Sequence, residues 1–351
     1  MLRLGANICR HNIQQSETQY TRSSITSDAN NTRLLYYSIP NMAIQQTRKV
    51  TLVGATGNVG KHILDSLLTA GHEVTVITRT SSNITVPDKV TLHRGDYTDE
   101  SFLVTALKGQ DVLIAALSFG AYEVQTPLFR AAAEAKVPWI VPCEFGADPK
   151  ASLNEHISLM KAKKPYRDLI EELGVSSWIG VVNGLWFDYV MRFGAFGLGI
   201  DARAKTASFF DDGNTKTNFT TLKRVGEGLA AVLGWPEDDL AKLRNDWVYL
   251  SSFHITQREI WAAAVRATGT KEGDWAVSAR PSEQVIKECK EQIANGAGMA
   301  PAQQLLMALT LGQGIGGDYQ EKVVDNERLG LKSESLDDVV KEVVDEILVG
   351  Q

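Results

Sequence analysis

The stretch Val50-Thr51-Leu52-Val53-Gly54-Ala55-Thr56-Gly57-Asn58-Val59-Gly60 decides the fold of this chain. An apolar strand leads into three glycines, and a helical pattern begins directly afterwards at Lys61. Backbone N–H groups at a helix N-terminus, with no Cβ in the way, form a seat for a pyrophosphate. Because the glycines lie between a strand and a helix, the stretch predicts a dinucleotide-binding turn. Its candidate cofactor-binding residues are Gly54, Thr56, Gly57, Asn58, Val59 and Gly60.

Strands and helices alternate along the chain after this turn. The first helix, Val59 to Ala70, stops at Gly71, and the second strand is Glu73 to Thr78. Such alternation predicts an α/β fold with a doubly wound parallel sheet and a ligand at the carboxyl ends of the strands. The further predicted strands are 89–93, 111–117, 137–141 and 177–182, and the further predicted helices are 101–107, capped by Asp99, and 125–136.

The end of the second strand indicates which nicotinamide cofactor is bound. In an NAD-binding unit, an acid about 20 residues beyond the glycines accepts a hydrogen bond from the ribose 2′-hydroxyl. Thr78 and Arg79 occupy that place here. A carboxylate would repel a 2′-phosphate, whereas a guanidinium can bind one with two hydrogen bonds. The sequence therefore predicts NADP(H), with Arg79 as a cofactor-binding residue; the alternative is a solvated surface charge.

Composition excludes several other classes of protein. The net charge of −6 provides no basic field for nucleic acid, and no apolar run approaches the ~20 residues of a membrane helix. The three cysteines, Cys9, Cys143 and Cys289, are widely spaced, and the histidines show no ligand spacing. We therefore expect no disulfide framework, no metal site, no nucleic-acid partner and no membrane partner.

Residues 1–47 differ from the rest of the chain and are expected to form a disordered leader. They are rich in Ser, Thr, Asn and Gln, with scattered arginines and few acids. Two alternatives remain open. In the first, these residues are a disordered leader or an extension upstream of a start at Met42, and the protein is cytoplasmic; in the second, residues 1–41 are a mitochondrial transit peptide.

The segment Val141-Pro142-Cys143-Glu144-Phe145-Gly146 resembles the NmrA-like family, in particular its isoflavone-reductase-like branch. That branch carries Pro-Ser-Glu-Phe-Gly after the fifth strand, and Cys143 stands here in place of the serine. The resemblance also covers the glycine turn, the position of Arg79, Gly95-Asp96, Gln125 and the segment 213–219 that precedes a predicted helix at 225–233. It implies Asp96 as a further cofactor-binding residue.

The resemblance implies an atypical short-chain-dehydrogenase fold and two candidate functions. It implies an NADP(H)-binding Rossmann domain at residues 48–183 and a substrate-binding region at 184–351, interleaved with the Rossmann sheet. Reductase members transfer hydride from NADPH to phenylpropanoid-derived or related aromatic substrates, and a polyketide-like small molecule fits the same chemistry. Other members, similar to the fungal nitrogen regulator, bind dinucleotide without catalysis and regulate a protein partner.

A catalytic residue is implied by the same resemblance. No tyrosine has a lysine four residues later, so the usual Tyr-x-x-x-Lys pair is absent. The isoflavone-reductase-like branch instead uses a lysine near the start of the helix after the fifth strand. This register falls on Lys163, with Arg167 matching the family's arginine, while a slip of register would select Lys161 or Lys164. A partly desolvated lysine beside a positive nicotinamide has a lowered pKa and can transfer a proton near neutral pH.

Aromatic side chains mark the expected ends of three strands. Trp186, Phe187 and Tyr189 follow the sixth strand and either line an apolar substrate pocket or form an interdomain hydrophobic core. Phe119 and Phe145, at the ends of the fourth and fifth strands, either border the nicotinamide or pack in the interior.

Two features of the C-terminal region remain open. The glycine-rich break at 312–317 is a candidate mobile loop over the pocket. The spacing at 336–349 predicts an amphipathic helix that packs either on its own domain or on a second subunit of a homodimer.

Overall fold

A seven-stranded sheet forms the centre of the chain, with the spatial order β11-β6-β5-β4-β1-β2-β3 and every pairing parallel. The computed structural model describes residues 46–324 and 326–350, apart from the side chains of Asn154, Ser158 and Leu159. The expectations for the leader therefore lie almost entirely outside the described residues. The strands are β1 (Lys49–Val53), β2 (Glu73–Arg79), β3 (Thr91–Gly95), β4 (Val112–Ala115), β5 (Trp139–Val141), β6 (Ser177–Val182), β7 (Leu185–Trp186), β8 (Ile200–Asp201), β9 (Thr206–Phe210), β10 (Thr217–Thr220), β11 (Asp246–Tyr249), β12 (Phe253–Ile255) and β13 (Ala276–Arg280).

Helices cover both faces of this sheet. The α-helices are α1 (Gly60–Thr69), α2 (Glu100–Leu107), α3 (Gln125–Glu134), α4 (Leu153–His156), α5 (Ser158–Lys161), α6 (Lys164–Leu173), α7 (Phe187–Met191), α8 (Leu222–Leu233), α9 (Glu237–Leu240), α10 (Gln257–Ala267), α11 (Ser282–Ala294), α12 (Met299–Met307) and α13 (Leu336–Val349). Alternate residues of each strand point to opposite faces. Leu52 and Ile114 pack with α1 and α8, whereas Val53 and Leu113 pack with α2 and α3. The predicted doubly wound parallel sheet is confirmed.

The remaining strands form two smaller sheets, β12-β10-β7 and β13-β9-β8. Phe187, Phe209 and Trp261 belong to the hydrophobic cluster beneath them, together with residues of α10 and α13. The predicted helix at 336–349 is confirmed with those bounds. Its apolar side packs on α10 and α7 of the same chain, because Val340, Val343 and Val344 are buried there.

Several local predictions are confirmed with small shifts. The Asp99 carboxylate accepts a hydrogen bond from the Phe102 N–H at 3.0 Å and caps α2 as expected. The third strand was predicted at 89–93 but runs from Thr91 to Gly95, because its ladder with β2 continues to the pair Arg79–Gly95. The fifth strand begins at Trp139 rather than at 137, since Pro138 has no N–H for a ladder.

The glycine-rich segment 312–317 packs against its neighbours rather than standing free. It follows a π-helical turn, Ala308–Gly312. The Gly317 carbonyl accepts a hydrogen bond from the Asn218 N–H at 2.8 Å. A Cβ on Gly316 would lie 3.0 Å from the Leu153 side chain. Within the described residues, no helix has the length and apolar character needed to cross a bilayer.

The packing of α8 on α1 depends on Gly226. A Cβ at this position would lie 2.3 Å from the His62 carbonyl oxygen and 2.7 Å from the Ser66 hydroxyl. We predict that Gly226→Ala pushes the two helices apart and lowers stability by about 1–3 kcal/mol. Thermal unfolding followed by circular dichroism should show a melting temperature lower by roughly 2–6 °C. The matched control is Gly273→Ala, where a Cβ meets no atom within 4 Å; equal melting temperatures for both variants would contradict the prediction.

Candidate active site

At two positions of the glycine turn, another part of the backbone lies so close that a Cβ would not fit. Gly54 follows β1 with φ of +90°, and a Cβ there would lie 2.1 Å from the Ala116 carbonyl oxygen. A Cβ on Gly60 would lie 2.0 Å from the Gly54 carbonyl oxygen. The Gly57 N–H donates to that same carbonyl at 2.9 Å. Glycine is therefore required at the first and last positions because backbone segments meet there.

The surface of this turn suits an anionic ligand. Thr56, Gly57 and Asn58 are exposed, whereas Val59 and Gly60 are buried beneath them. The first N–H groups of a helix have no intrahelical partner. No side chain caps the N-terminus of α1, and its first turn contains no acid. The partial positive charge of the helix end is thus left uncompensated within the described residues, and the residues present fit a pyrophosphate.

Arg79 and Asp96 lie at the neighbouring ends of β2 and β3. Arg79 pairs with Gly95 in the ladder, and its side chain is exposed. The Asp96 carboxylate accepts hydrogen bonds from the Thr98 N–H at 2.8 Å and from the Thr98 hydroxyl at 2.9 Å. These bonds lower the pKa of Asp96, which is fully exposed. The Asp96 side chain is therefore occupied with its own turn, while the Arg79 guanidinium is exposed at the sheet edge.

The two candidate phenylalanines occupy different environments. Phe119, in a 3₁₀ segment after β4, is 56% exposed, and its ring meets Tyr122 edge-on at 5.7 Å. Phe145, after β5, is 9% exposed and packs in the cluster between the sheet and α1. Phe119 can therefore contact a ligand, whereas Phe145 belongs mainly to the interior.

Cys143, which stands in place of the serine of the family motif, makes two hydrogen bonds. Its N–H donates to the Gln125 side-chain oxygen at 2.8 Å, and its thiol donates to the Leu117 carbonyl at 3.1 Å. Burial raises the pKa of the Cys143 thiol, so this group is neutral. Its contacts connect the segment after β5 with α3 and with the end of β4.

Of the three candidate lysines, only Lys163 is enclosed. It precedes α6 and is 6% exposed, whereas Lys161 and Lys164 are exposed. The Lys164 amine is paired with Asp168 at 2.7 Å. The Lys163 amine donates to the main-chain carbonyl of Glu144 at 2.6 Å and lies 3.9 Å from the Glu144 carboxylate. Burial lowers the pKa of Lys163, and the Glu144 carboxylate opposes that shift.

Glu144 is the acidic centre of this cluster. Its side chain is 5% exposed, and the Arg167 guanidinium donates to one of its carboxylate oxygens. Residues of α5, of α6 and of the segment after β5 line a cavity of about 230 Å³ next to this group. The cavity is lined by Glu144, Ala147, Pro149, Met160, Lys161, Lys163, Lys164 and Arg167.

The three aromatic residues after β6 do not act as one group. Phe187 is fully buried, and its ring packs edge-on against Phe219 at 5.6 Å and Phe253 at 5.3 Å. This is the interior packing that was the alternative to a pocket. Trp186 is partly buried and meets Tyr189 edge-on at 5.7 Å. We therefore separate Phe187 from the candidate pocket residues.

Tyr189 lines a cavity of about 530 Å³ that also contacts Asn58 of the glycine turn. The lining is largely charged and includes Lys61, Arg192 and Glu342, which differs from the apolar pocket expected from the aromatic residues. Lys163 does not line this cavity, and Tyr189 does not line the smaller one. The structure thus brings Tyr189 close to the glycine turn and places Lys163 in a separate cavity.

Sequence reasoning missed the side chains that surround Lys163. The sequence analysis assigned no role to Glu144 or Arg167. The spacing of one helical turn between Lys163 and Arg167 nevertheless indicates that these two residues share one side of the first turn of α6. Trp178 and Trp247 give no sequence signal, because their contact depends on the pairing of β6 with β11. Among the described residues, no group of three or more His, Cys, Asp or Glu side chains is arranged to hold a metal ion.

Comparison with known proteins identifies the family. The model of the NmrA-like family matches residues 46–297. The chain belongs to the NmrA-like family. A curated relative, oxidoreductase aprR of Aspergillus flavus, is 30% identical over 307 residues, covering 85% of this chain and 99% of that protein. An isoflavone reductase homolog of Solanum tuberosum is 26% identical over 266 residues, covering 69% and 81%.

Solved structures share the NmrA-like fold of this chain. The structure of AtPrR2 with NADP⁺ and (+)pinoresinol superposes with a TM-score of 0.69 at 20% identity, covering 85% of this chain and 99% of that one. The sequence relatives identify the chain as an oxidoreductase of the isoflavone-reductase-like branch. The resemblance expected from the sequence is confirmed.

The buried Cys143 leads to a prediction about thiol reactivity in this NmrA-like protein. The thiolate is the reactive form, and burial disfavours it here. In a Cys9→Ser/Cys289→Ser variant, Cys143 is the only thiol. We expect its reaction with a disulfide reagent at pH 8 to be at least ~10-fold slower in the native protein than in the protein unfolded in guanidinium chloride. Reaction at the same rate in both conditions would show that Cys143 is accessible.

Proposed function

We propose that this protein is an NADPH-dependent reductase of a small aromatic, polyketide-like or phenylpropanoid-like molecule, and that Lys163 transfers the proton that accompanies reduction. The observation that carries the proposal is the enclosed Lys163 amine after β5. Because β1 and β5 are parallel, it lies at the same edge of the sheet as the glycine turn. Ligands of open α/β sheets bind at this edge.

The cofactor assignment is supported by the glycine turn and by Arg79. The uncapped α1 N-terminus provides N–H donors for a pyrophosphate, and Gly54 and Gly60 keep the turn tight. The exposed Arg79 guanidinium at the end of β2 would bind a 2′-phosphate. When bound, NADPH supplies the hydride. We assign the dinucleotide to residues 48–183.

The chemical step is supported by the surroundings of Lys163. Reduction by hydride leaves negative charge on the substrate, and a positioned acid that protonates it accelerates the reaction. The Lys163 amine is held by the Glu144 carbonyl at 2.6 Å and is shielded from water. Burial lowers the pKa of Lys163, which brings proton transfer closer to neutral pH.

The substrate assignment rests on the region after β6, within residues 184–351. Trp186 and Tyr189 form an edge-on aromatic pair, and Tyr189 borders a cavity that reaches Asn58. This aromatic pair suits a flat ring in the substrate, whereas the rest of the cavity lining is charged and Lys163 lines a separate cavity. Phe187 is buried in the hydrophobic cluster against which Tyr189 packs. The relative AtPrR2 binds (+)pinoresinol, an aromatic molecule, in its solved structure.

We predict that Arg79 determines the cofactor preference. Arg79→Ala should weaken NADPH binding by roughly 10- to 100-fold, because a charge-assisted hydrogen bond to phosphate is lost, while NADH binding changes little. Titration followed by nicotinamide fluorescence measures both affinities. The control is Arg130→Ala, an exposed arginine on α3. Equal affinities for NADPH and NADH in the unaltered protein would contradict the assignment of Arg79.

We predict that Lys163→Ala retains NADPH affinity and loses turnover by about 10²- to 10⁴-fold, the usual contribution of a general acid. A panel of aromatic carbonyl and benzylic ether compounds provides the substrate, with NADPH oxidation followed at 340 nm. The controls are Lys161→Ala and Lys164→Ala, whose side chains are exposed. Turnover retained in Lys163→Ala, or lost to the same degree in a control, would remove Lys163 from the mechanism.

A further inference from the structure

Arg167 is the residue of α6 that faces Lys163 across the buried Glu144 carboxylate. The Arg167 guanidinium donates to Oε1 of Glu144, whereas Lys163 Nζ lies 3.9 Å from Oε2. The short hydrogen bond of Lys163, 2.6 Å, goes to the main-chain carbonyl of Glu144 instead. The buried carboxylate is thus engaged by the guanidinium, and the lysine amine is held by a neutral acceptor.

Two tryptophan rings hold the Arg167 guanidinium in this place. It lies 4.9 Å from the ring centroid of Trp247 on β11 and 5.7 Å from that of Trp178 on β6. The two rings meet edge-on at 5.1 Å. The Trp247 ring covers Gly180, where a Cβ would lie 2.3 Å from it. A guanidinium against aromatic faces is both attracted to them and restricted in orientation.

The second tryptophan is also attached to the helix that carries Arg167. Trp178 Nε1 donates to the Glu171 carboxylate of α6 at 2.7 Å. Glu171 lies one turn after Arg167, so the ring and the guanidinium are fixed to the same helix. The site around Arg167 is therefore built from two neighbouring strands and one helix, rather than from a flexible surface chain.

The charged and titratable groups around Lys163 come from the segments after β4 and β5, from α5 and from α6. Burial lowers the pKa of Lys163, the Glu144 carboxylate raises it, and the Arg167 charge lowers it. Tyr122, in the segment after β4, faces Cys143 and Glu144, and burial raises its own pKa so that it stays neutral. Lys161 and Lys164 line the same cavity as Lys163. Glu144 is therefore the acid that competes for the lysine amine.

We propose that Arg167 is a positioning residue that engages the Glu144 carboxylate, so that the Lys163 amine does not hydrogen-bond to that carboxylate and stays available to the reacting molecule. The proposal rests on the proposed function of Lys163 as a proton donor. Without Arg167, the carboxylate has Lys163 as its nearest cation. The amine would then turn from the main-chain carbonyl to the carboxylate and would hold its proton more tightly.

The test measures the protonation of Lys163 directly and needs no substrate. Protein labelled with ¹³C,¹⁵N-lysine is titrated by NMR, and the Lys163 side-chain signal is assigned from its loss in Lys163→Met. We expect Lys163 to titrate below the ordinary range of a lysine side chain, because burial lowers its pKa. In Arg167→Met its midpoint should rise by about one pH unit or more. The matched control is Arg130→Met, which should leave the midpoint unchanged.

A double variant separates this role from simple support of the fold. In Glu144→Gln/Arg167→Met the competing carboxylate is absent, so the Lys163 midpoint should return to the low value of the unaltered protein. If Arg167 only supports the structure, Lys163 becomes exposed in both variants and titrates in the ordinary range of a solvated lysine side chain. That result, or no rise in Arg167→Met, would overturn the proposal.

Two conservative variants give the answer if Arg167→Met does not fold. Arg167→Lys retains the positive charge and should show a midpoint between the unaltered value and the raised one. Glu144→Gln alone should lower the midpoint, because burial and the Arg167 charge then act unopposed by the carboxylate. A midpoint unchanged in both variants would contradict the proposal. Since the measurement uses protonation and not turnover, a failure of the reductase assignment is seen separately in the Lys163→Ala kinetics.

Discussion

The contact of Gly54 with the backbone of Ala116 is the constraint on which the rest of the structure depends. It joins the turn after β1 to the end of β4, and the approach of Gly60 to the Gly54 carbonyl then sets where α1 starts. Because these contacts are between backbone atoms, no side chain can be accommodated in them. The position of α1 against the sheet is therefore fixed at its N-terminal end.

The second helix layer follows from that position. Gly226 lets α8 approach α1 so closely that a Cβ at this position would lie 2.3 Å from the His62 carbonyl oxygen. The residues between and around these helices, including Val225 and Leu229, fill the cluster on this face of the sheet. The close contacts at Gly54, Gly60 and Gly226 thus connect the ligand-binding edge of the sheet with α1 and α8, which cover one of its faces.

The opposite face positions the candidate chemistry. There α6 brings Lys163 and Arg167 to the buried Glu144 after β5, and the tryptophans of β6 and β11 close the other side of the guanidinium. A buried carboxylate is costly unless it is paired and hydrogen-bonded. Glu144 meets that condition through Arg167, which leaves the lysine amine with a main-chain acceptor. The two faces of the sheet therefore contribute different parts of the candidate site.

The sequence by itself determined the glycine turn, the order of strands and helices, the cap of α2 by Asp99 and the placement of Arg79 at the end of β2. These features depend on residues close in the chain, so their pattern is visible without the fold. Tertiary structure alone decided that Lys163 is buried while Lys161 and Lys164 are exposed, and that Phe187 is enclosed while Tyr189 borders a cavity. It also placed Trp247 beside Trp178, since β11 pairs with β6 across a long stretch of chain. Burial and pairing of this kind depend on which segments meet in space, and the local pattern carries no information about that.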